Sequence, residues 1–372
     1  MPPGGPPDAA APQIISINPD SGRVGVKPKE VLFHFDEVVS ERPQGGTTLA
    51  DLFIISPRDG APQASWHRDA IGVRPAHGWR SNTPYTVIML KGLADIRGNV
   101  RNTGASTFFS TGSALPATRI AGTVFDWVSG APAAGALIES FVPPDSLHPY
   151  VALADTNGAF AIEHVPAARY LVRAYLDRNK NLGIDPSEPW DSSTIALTDS
   201  VRSTFLLFAH DTVAPHIREI RQVDSVTLRV AFDKPIDPGQ TLTAANFAVL
   251  GPDSTPLTIL RVAAPAVDTA AKPTPAPAAR PTTPLGRPTP ARRDTTPPVV
   301  RPVMPRPAPI SEVEIKLQRP LTPKVAYRVR AVGIRGLLGK TADSERGYTP
   351  PAPPPPAEKP AAGTASSTPS RR

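Results

Sequence analysis

The 372-residue chain predicts an all-β fold of three small β-sandwich domains in a row, joined and flanked by disordered Pro-rich segments. Three observations carry that expectation. Short apolar–polar alternations of strand length recur along the chain, and no helical stripe of useful length appears. The 49 prolines exclude a single helical domain, because proline breaks helix interiors and removes a backbone donor. Two stretches repeat one pattern, and a chain this long has room for two or three domains.

Proline and charge are unevenly spread. Residues 1–12, 264–310 and 351–372 hold 5, 14 and 7 prolines. The other 291 residues hold 23 prolines, about 8%, near the ordinary share of roughly 5%. Residues 264–310 also carry Lys272, Arg280, Arg287, Arg292, Arg293, Arg301 and Arg306 against Asp268 and Asp294. The tail carries Lys359, Arg371 and Arg372 against Glu358, so these two segments account for the whole formal charge of +7. Such segments bury too little apolar surface to offset their ordering entropy and are expected to be extended and disordered. A nucleic-acid-binding fold carries its own basic face, so no nucleic-acid partner is expected. The absence of cysteine excludes a disulfide scaffold, a zinc-thiolate site and a cysteine nucleophile.

The expected domains are a disordered 1–11, a sandwich at 12–114, a second at 117–210, a third at 211–350 interrupted by a disordered loop at 264–310, and a disordered tail at 351–372. In the first, Val31, Phe33 and Phe35 alternate with Leu32 and His34, and Tyr85, Val87 and Met89 with Thr86 and Ile88. The third repeats this. Leu228, Val230 and Phe232, followed by Asp233, match Val31, Phe33 and Phe35, followed by Asp36. Val313, Ile315 and Tyr327 match Ile71, Val73 and Tyr85 at a larger offset. The extra length is that of the Pro-rich stretch, which therefore reads as an insertion in a loop of the second copy; long loops add little closure cost. Seven or so strands in about 100 residues is the rhythm of an Ig-like sandwich. The central stretch has another layout. Asp155-Thr-Asn157-Gly158 signals a hairpin, and Tyr170–Leu176 alternates as a strand.

Pro12-Gln-Ile-Ile-Ser-Ile-Asn-Pro19, Phe33-His-Phe35-Asp36-Glu37, Asn82-Thr-Pro-Tyr85, Gly92-Leu-Ala-Asp95 and Phe109-Ser-Thr-Gly112, in that order, resemble the bacterial Ig-like domain of the S-layer SbsA type. The third domain resembles it more loosely. Through Gly122-Thr-Val, Asp155-Thr-Asn-Gly-Ala-Phe160 and Tyr170-Leu-Val-Arg-Ala174, the central domain is similar to carboxypeptidase-regulatory-like, or prealbumin-like, domains. Proteins of this layout are exported envelope proteins, often lipoproteins, and Pro3-Gly4-Gly5-Pro6-Pro7-Asp8 resembles the segment that follows their lipidated cysteine. The resemblance thus implies a cell-envelope location, periplasm or outer surface, with an export signal upstream of Met1. Read literally, the start has no signal peptide and leaves the chain cytoplasmic.

One constellation stands out chemically. Asp177, Asn179, Asn181, Asp185 and Glu188 place oxygen-bearing side chains at near-alternate positions, as a hard cation such as Ca²⁺ requires. Glu188 falls twelfth, but Gly183 is seventh rather than sixth and no helices flank the loop, so it is not an EF-hand. Two readings stand: a Ca²⁺-type loop in a β-domain, or a polar turn held by local side-chain bonds. Gly336-Leu-Leu-Gly339-Lys340-Thr341 lacks the spacing of a phosphate loop and reads as a turn. None of the seven histidines pairs at metal-ligand spacing, no nucleophile elbow appears, and no catalytic residue is assigned. Trp66, Trp79, Trp127 and Trp190 are either sugar-stacking platforms or core. The expected function is a non-catalytic envelope or surface protein whose modules give structural support or binding, monomeric, with an envelope protein or a glycan as partner and the membrane reached only through a lipid anchor. The alternatives are a carbohydrate-binding accessory protein and an enzyme with an unrecognised site.

Overall fold

The computed structural model describes residues 9–43, 48–179, 181–265 and 306–352. The disorder expected of 1–11, 264–310 and 351–372 falls almost wholly outside those residues. Among the described residues there are 22 strands, two short 3₁₀ turns and no α-helix, so the all-β fold class holds. The chain forms two compact units. One is Met1–Asp211 with Val303–Ala308; the other is Thr212–Pro302 with Pro309–Arg372.

The first unit begins with β1 (Ile14–Asn18), β2 (Val31–Phe35), β3 (Phe53–Ser56), β4 (Gln63–Trp66), β5 (Ala70–Arg74), β6 (Pro84–Met89) and β7 (Ala105–Ser110). They make two sheets, β1-β2-β5-β4 and β3-β6-β7. Alternation puts Val31, Phe33 and Phe35 of β2 and Val87 and Met89 of β6 on inward faces, where all are buried. Phe33 meets Phe53 across the core at 5.2 Å. Burying one such ring fully contributes roughly 1.5–3 kcal/mol.

The same unit continues with β8 (Ile120–Asp126), β9 (Leu137–Phe141), β10 (Tyr150–Leu153), β11 (Ala159–Ile162), β12 (Ala168–Tyr175), β13 (Pro189–Leu197) and β14 (Val201–Ala209), in the order β10-β9-β12-β13-β14-β8-β11. β13 and β14 meet at only two residue pairs. The two arms therefore fold over one core that includes Val124, Ile138, Val172 and Phe205. The Asp155–Gly158 turn forms, with the Asp155 N–H donating to the Ala159 carbonyl at 2.8 Å. Its flanking strands do not pair as a hairpin, however. β10 pairs with β9 and β11 with β8, at opposite ends of the order. Gly158 explains the crossing. Its φ is +76°, and a Cβ there would overlap the Val124 carbonyl, so only glycine lets the turn press onto β8.

The second unit contains β15 (Ile217–Asp224), β16 (Thr227–Ile236), β17 (Phe247–Leu250), β18 (Pro256–Leu257), β19 (Ile259–Ala263), β20 (Ile310–Leu317), β21 (Tyr327–Arg335) and β22 (Thr341–Tyr348). Its sheets are β15-β16-β20-β19 and β18-β17-β21-β22. The first has the same order as β1-β2-β5-β4, with Leu228, Val230 and Phe232 at the inward positions of Val31, Phe33 and Phe35. The Tyr327 hydroxyl accepts from the Thr322 N–H at 3.0 Å, as the Tyr85 hydroxyl accepts from the Arg80 N–H at 2.8 Å. β19 and β20 pair up to Ala263 and Glu314. The insertion therefore lies in the connection that spans only residues 67–69 between β4 and β5. Gly336 N–H donates to the Lys340 carbonyl at 2.9 Å and closes the β21–β22 hairpin.

Candidate functional site

The richest polar constellation lies inside the first unit, where the end of β3 meets the β9–β10 region and the β12–β13 loop. β3 runs alongside the segment entering β10. The Val151 N–H donates to Ser56 Oγ at 2.8 Å and the Arg58 N–H to the Pro149 carbonyl at 2.8 Å. That pairing aims Arg58 at Glu139, in the middle of β9, with a nitrogen–oxygen distance of 2.5 Å. Their side chains keep only 19% and 10% of their exposure, so the pair is largely desolvated, and its charge must be compensated locally. The Tyr175 hydroxyl at the end of β12 donates to Glu139 Oε1 at 2.8 Å. Burial, then the neighbouring Glu139 charge, pushes the Tyr175 hydroxyl above its ordinary range, so it stays a donor.

The predicted cation loop begins at this network. The Leu182 carbonyl accepts from Arg58 Nη2 and from the Tyr175 hydroxyl, each at 3.2 Å. Asp177–Glu188 is the connection between the antiparallel strands β12 and β13. All five sequence-predicted residues come together in it. Asp177 accepts the N–H groups of Asn181 at 3.2 Å and Leu182 at 2.9 Å. Asn181 Oδ1 accepts from the Gly183 N–H at 2.8 Å. The amides of Asn179 and Asn181 both donate to Asp185 Oδ2, at 2.6 and 3.0 Å. Glu188, almost fully buried, accepts from the Arg178 N–H at 2.8 Å and the Asp185 N–H at 3.2 Å. The left-handed residue is Leu182, sixth in the loop, at φ +59°. The left-handed backbone thus falls at the sixth position, on Leu182 and not on Gly183. Among the described residues, no group of three or more His, Asp or Glu side chains stands in metal-holding geometry. The donor types, carboxylate and amide oxygens, suit a hard cation, although Asp185 Oδ2 already accepts from both Asn amides. The two Asn amides would have to turn their oxygens toward Asp185.

Beside the joint lies a cavity of about 670 Å³, lined by Asp59, His77, Trp79, Arg80, Leu147 and His148 among others. His77 Nδ1 is 2.9 Å from Asp59 Oδ1, and His148 Nε2 is 3.8 Å from the same oxygen. His148 Nδ1 also meets Asp145 at 3.2 Å. Burial pushes the Asp145 carboxyl up, but the Leu147 N–H, His148 and Arg80 together hold it below its usual range. Sequence spacing could not find this group, because its histidines come from two different sandwiches. Of the four tryptophans, Trp79 and Trp127 are buried. Trp190 stacks on His210 at 3.8 Å, and Trp66 keeps 38% of its exposure.

Residues 8–111 match the family model of a bacterial Ig-like domain, which defines the class of the first sandwich. That stretch is under a third of the chain. No curated protein matches. Among solved structures, BcpA, the major pilin subunit of Bacillus cereus, is 11% identical over 53% of this chain and 70% of its own, with a TM-score of 0.19. Domains 1–6 of the surface layer protein SbsC are 10% identical over 93% of this chain and 55% of theirs, with a TM-score of 0.21. Titin domains A168–A170 are 13% identical over 92% of this chain and 99% of theirs, with a TM-score of 0.15.

Proposed function

We propose that this chain is a non-catalytic surface or cell-envelope protein whose Ig-like sandwiches give structural support or present binding surfaces. The observation that carries the reading is the joint inside the first unit. A sandwich matching the bacterial Ig-like family is fixed to its neighbour by a desolvated Arg58–Glu139–Tyr175 network and by main-chain bonds. Such a joint resists relative rotation, which suits support and presentation. The central sandwich is read as carboxypeptidase-regulatory-like and the anchor as a lipid. The test expresses the gene with its natural upstream region and treats intact cells with protease. Digestion in intact or outer-membrane-permeabilised cells supports the reading, whereas protection until the cytoplasm is opened overturns it. Saturable binding on a glycan array would move the assignment to the carbohydrate-binding alternative.

We propose as well that Asp177, Asn179, Asn181, Asp185 and Glu188 take up Ca²⁺. The support is that the loop gathers all five and turns at its sixth residue. Titration calorimetry of the full chain should show saturable heat with Ca²⁺ that Glu188→Gln removes. No heat at millimolar Ca²⁺ leaves the loop a polar turn.

A further inference from the structure

Trp127 follows the last residue of β8, and its own N–H donates to the Leu207 carbonyl at 2.8 Å. Its ring meets Phe208 edge-on at 5.2 Å. Phe208 stacks on His210 at 4.2 Å, and His210 on Trp190 at 3.8 Å and 10°. The indole is thus backed by a run of packed rings from the start of β13 and the end of β14, which is the kind of support a recognition residue needs. Its one polar atom is spent on a distant residue. Trp127 Nε1–H donates to the Pro307 carbonyl at 3.0 Å, across 180 residues of chain, and the Arg306 guanidinium lies over the Trp127 ring at 5.8 Å. Arg306 and Pro307 belong to the same compact unit as Trp127.

This is the chemistry by which proline-rich peptides are read. Proline has no N–H, so a proline-rich segment stays extended and leaves its carbonyls free for an indole donor. A cation over the indole face adds an attraction that favours an arginine beside the proline. The insertion supplies this pair repeatedly, as Arg280-Pro281, Arg287-Pro288, Arg301-Pro302 and Arg306-Pro307. The proline-rich tail from Pro350 to Pro356 has no basic residue.

We propose that the Trp127 face is a binding site for Arg-Pro peptide segments, filled in this chain by its own Arg306-Pro307. The site holds the end of the basic insertion in cis. A free Arg-Pro peptide competes with it for the face.

The test uses the full chain with residues 266–308 replaced by a Gly-Ser linker of equal length, and a fluorescein-labelled peptide of residues 301–309. Anisotropy should show saturable binding at least tenfold tighter to this emptied chain than to the intact one. Trp127→Phe in the emptied chain keeps the ring and loses the donor, and should weaken binding about fivefold, the worth of one neutral hydrogen bond. A peptide of residues 350–356 should bind at least tenfold more weakly than residues 301–309. Should the linker chain unfold, the intact chain with Arg280-Pro281, Arg287-Pro288, Arg301-Pro302 and Arg306-Pro307 each changed to Gly-Gly serves as the emptied protein. No saturable binding, equal binding to intact and emptied chains, or no effect of Trp127→Phe would overturn the proposal. Tighter binding of the tail peptide would reassign the occupant and overturn the Arg-Pro requirement.

Discussion

Arg58 and Glu139 illustrate what a single residue decides. Each is acceptable in its buried position only because the other is 2.5 Å away. Replacing Arg58 by Leu leaves the Glu139 carboxylate in the joint with Tyr175 as its remaining named partner. Removing one partner of a buried pair costs about 3–5 kcal/mol, whereas removing both is often near neutral. Urea unfolding of the Arg58→Leu chain should therefore show a loss of about 3 kcal/mol in the first unit, and Arg58→Leu with Glu139→Leu should recover most of it. An equally large loss in the double variant would mean that packing of the two stems, not their charge, holds the joint. The tyrosines tell a complementary story. Tyr85 and Tyr327 sit at matched places in the repeat, and both hydroxyls accept an N–H five residues earlier in the chain. Their hydrogen bonds are local, so this part of the repeat was readable from sequence.

At the scale of elements, the parallel pairing of β8 with β14 depends on Gly122. A Cβ there would overlap the Ser203 carbonyl oxygen and crowd the Phe160 ring. Gly122→Ala should push the two strands apart and cost about 3 kcal/mol or more. Gly130, at φ +69° with nothing within 4 Å of where a methyl group would sit, offers the contrast. Gly130→Ala should cost only the strain of the left-handed conformation, about 1–2 kcal/mol. Thermal unfolding of both variants checks the difference, and equal losses would contradict the crowding argument. The ring stack on β13 and β14 makes a second, pH-linked prediction. Burial holds the His210 imidazole below its ordinary range, against its bond to the Phe208 carbonyl and the Asp191 charge. The unfolded chain therefore binds a proton more readily than the folded one. The resulting stability is present above about pH 6.5 and is lost as pH falls from there through the folded value. The first unit should melt at a lower temperature at pH 5.5 than at pH 7, and His210→Phe should shrink that difference. An unchanged difference would place the acid sensitivity elsewhere.

For the molecule as a whole, the formal charge of +7 belongs to the insertion and the tail. Charge attraction between a basic segment and a polyanion is screened within about 8 Å at physiological salt, so retention on a heparin column should track those segments alone. Changing Lys272, Arg280, Arg287, Arg292, Arg293, Arg301, Lys359, Arg371 and Arg372 to Gln should abolish retention without altering the melting temperature. Retention that survives would locate a basic face on the sandwiches themselves.

The amino-acid sequence by itself determined the strands, their inward faces, the repeated sheet with its insertion and the oxygen-rich loop. Each of these is written in neighbouring residues, through period-two alternation and turn chemistry. The tertiary structure alone decided that the Asp155 turn crosses the fold instead of closing a hairpin, because the space at Gly158 is set by β8. It alone brought Arg58 to Glu139, Asp59 to two histidines and Trp127 to Pro307. Those contacts join residues from different strands and loops, and a hydrogen bond across 180 residues leaves no period or spacing in the chain that makes it.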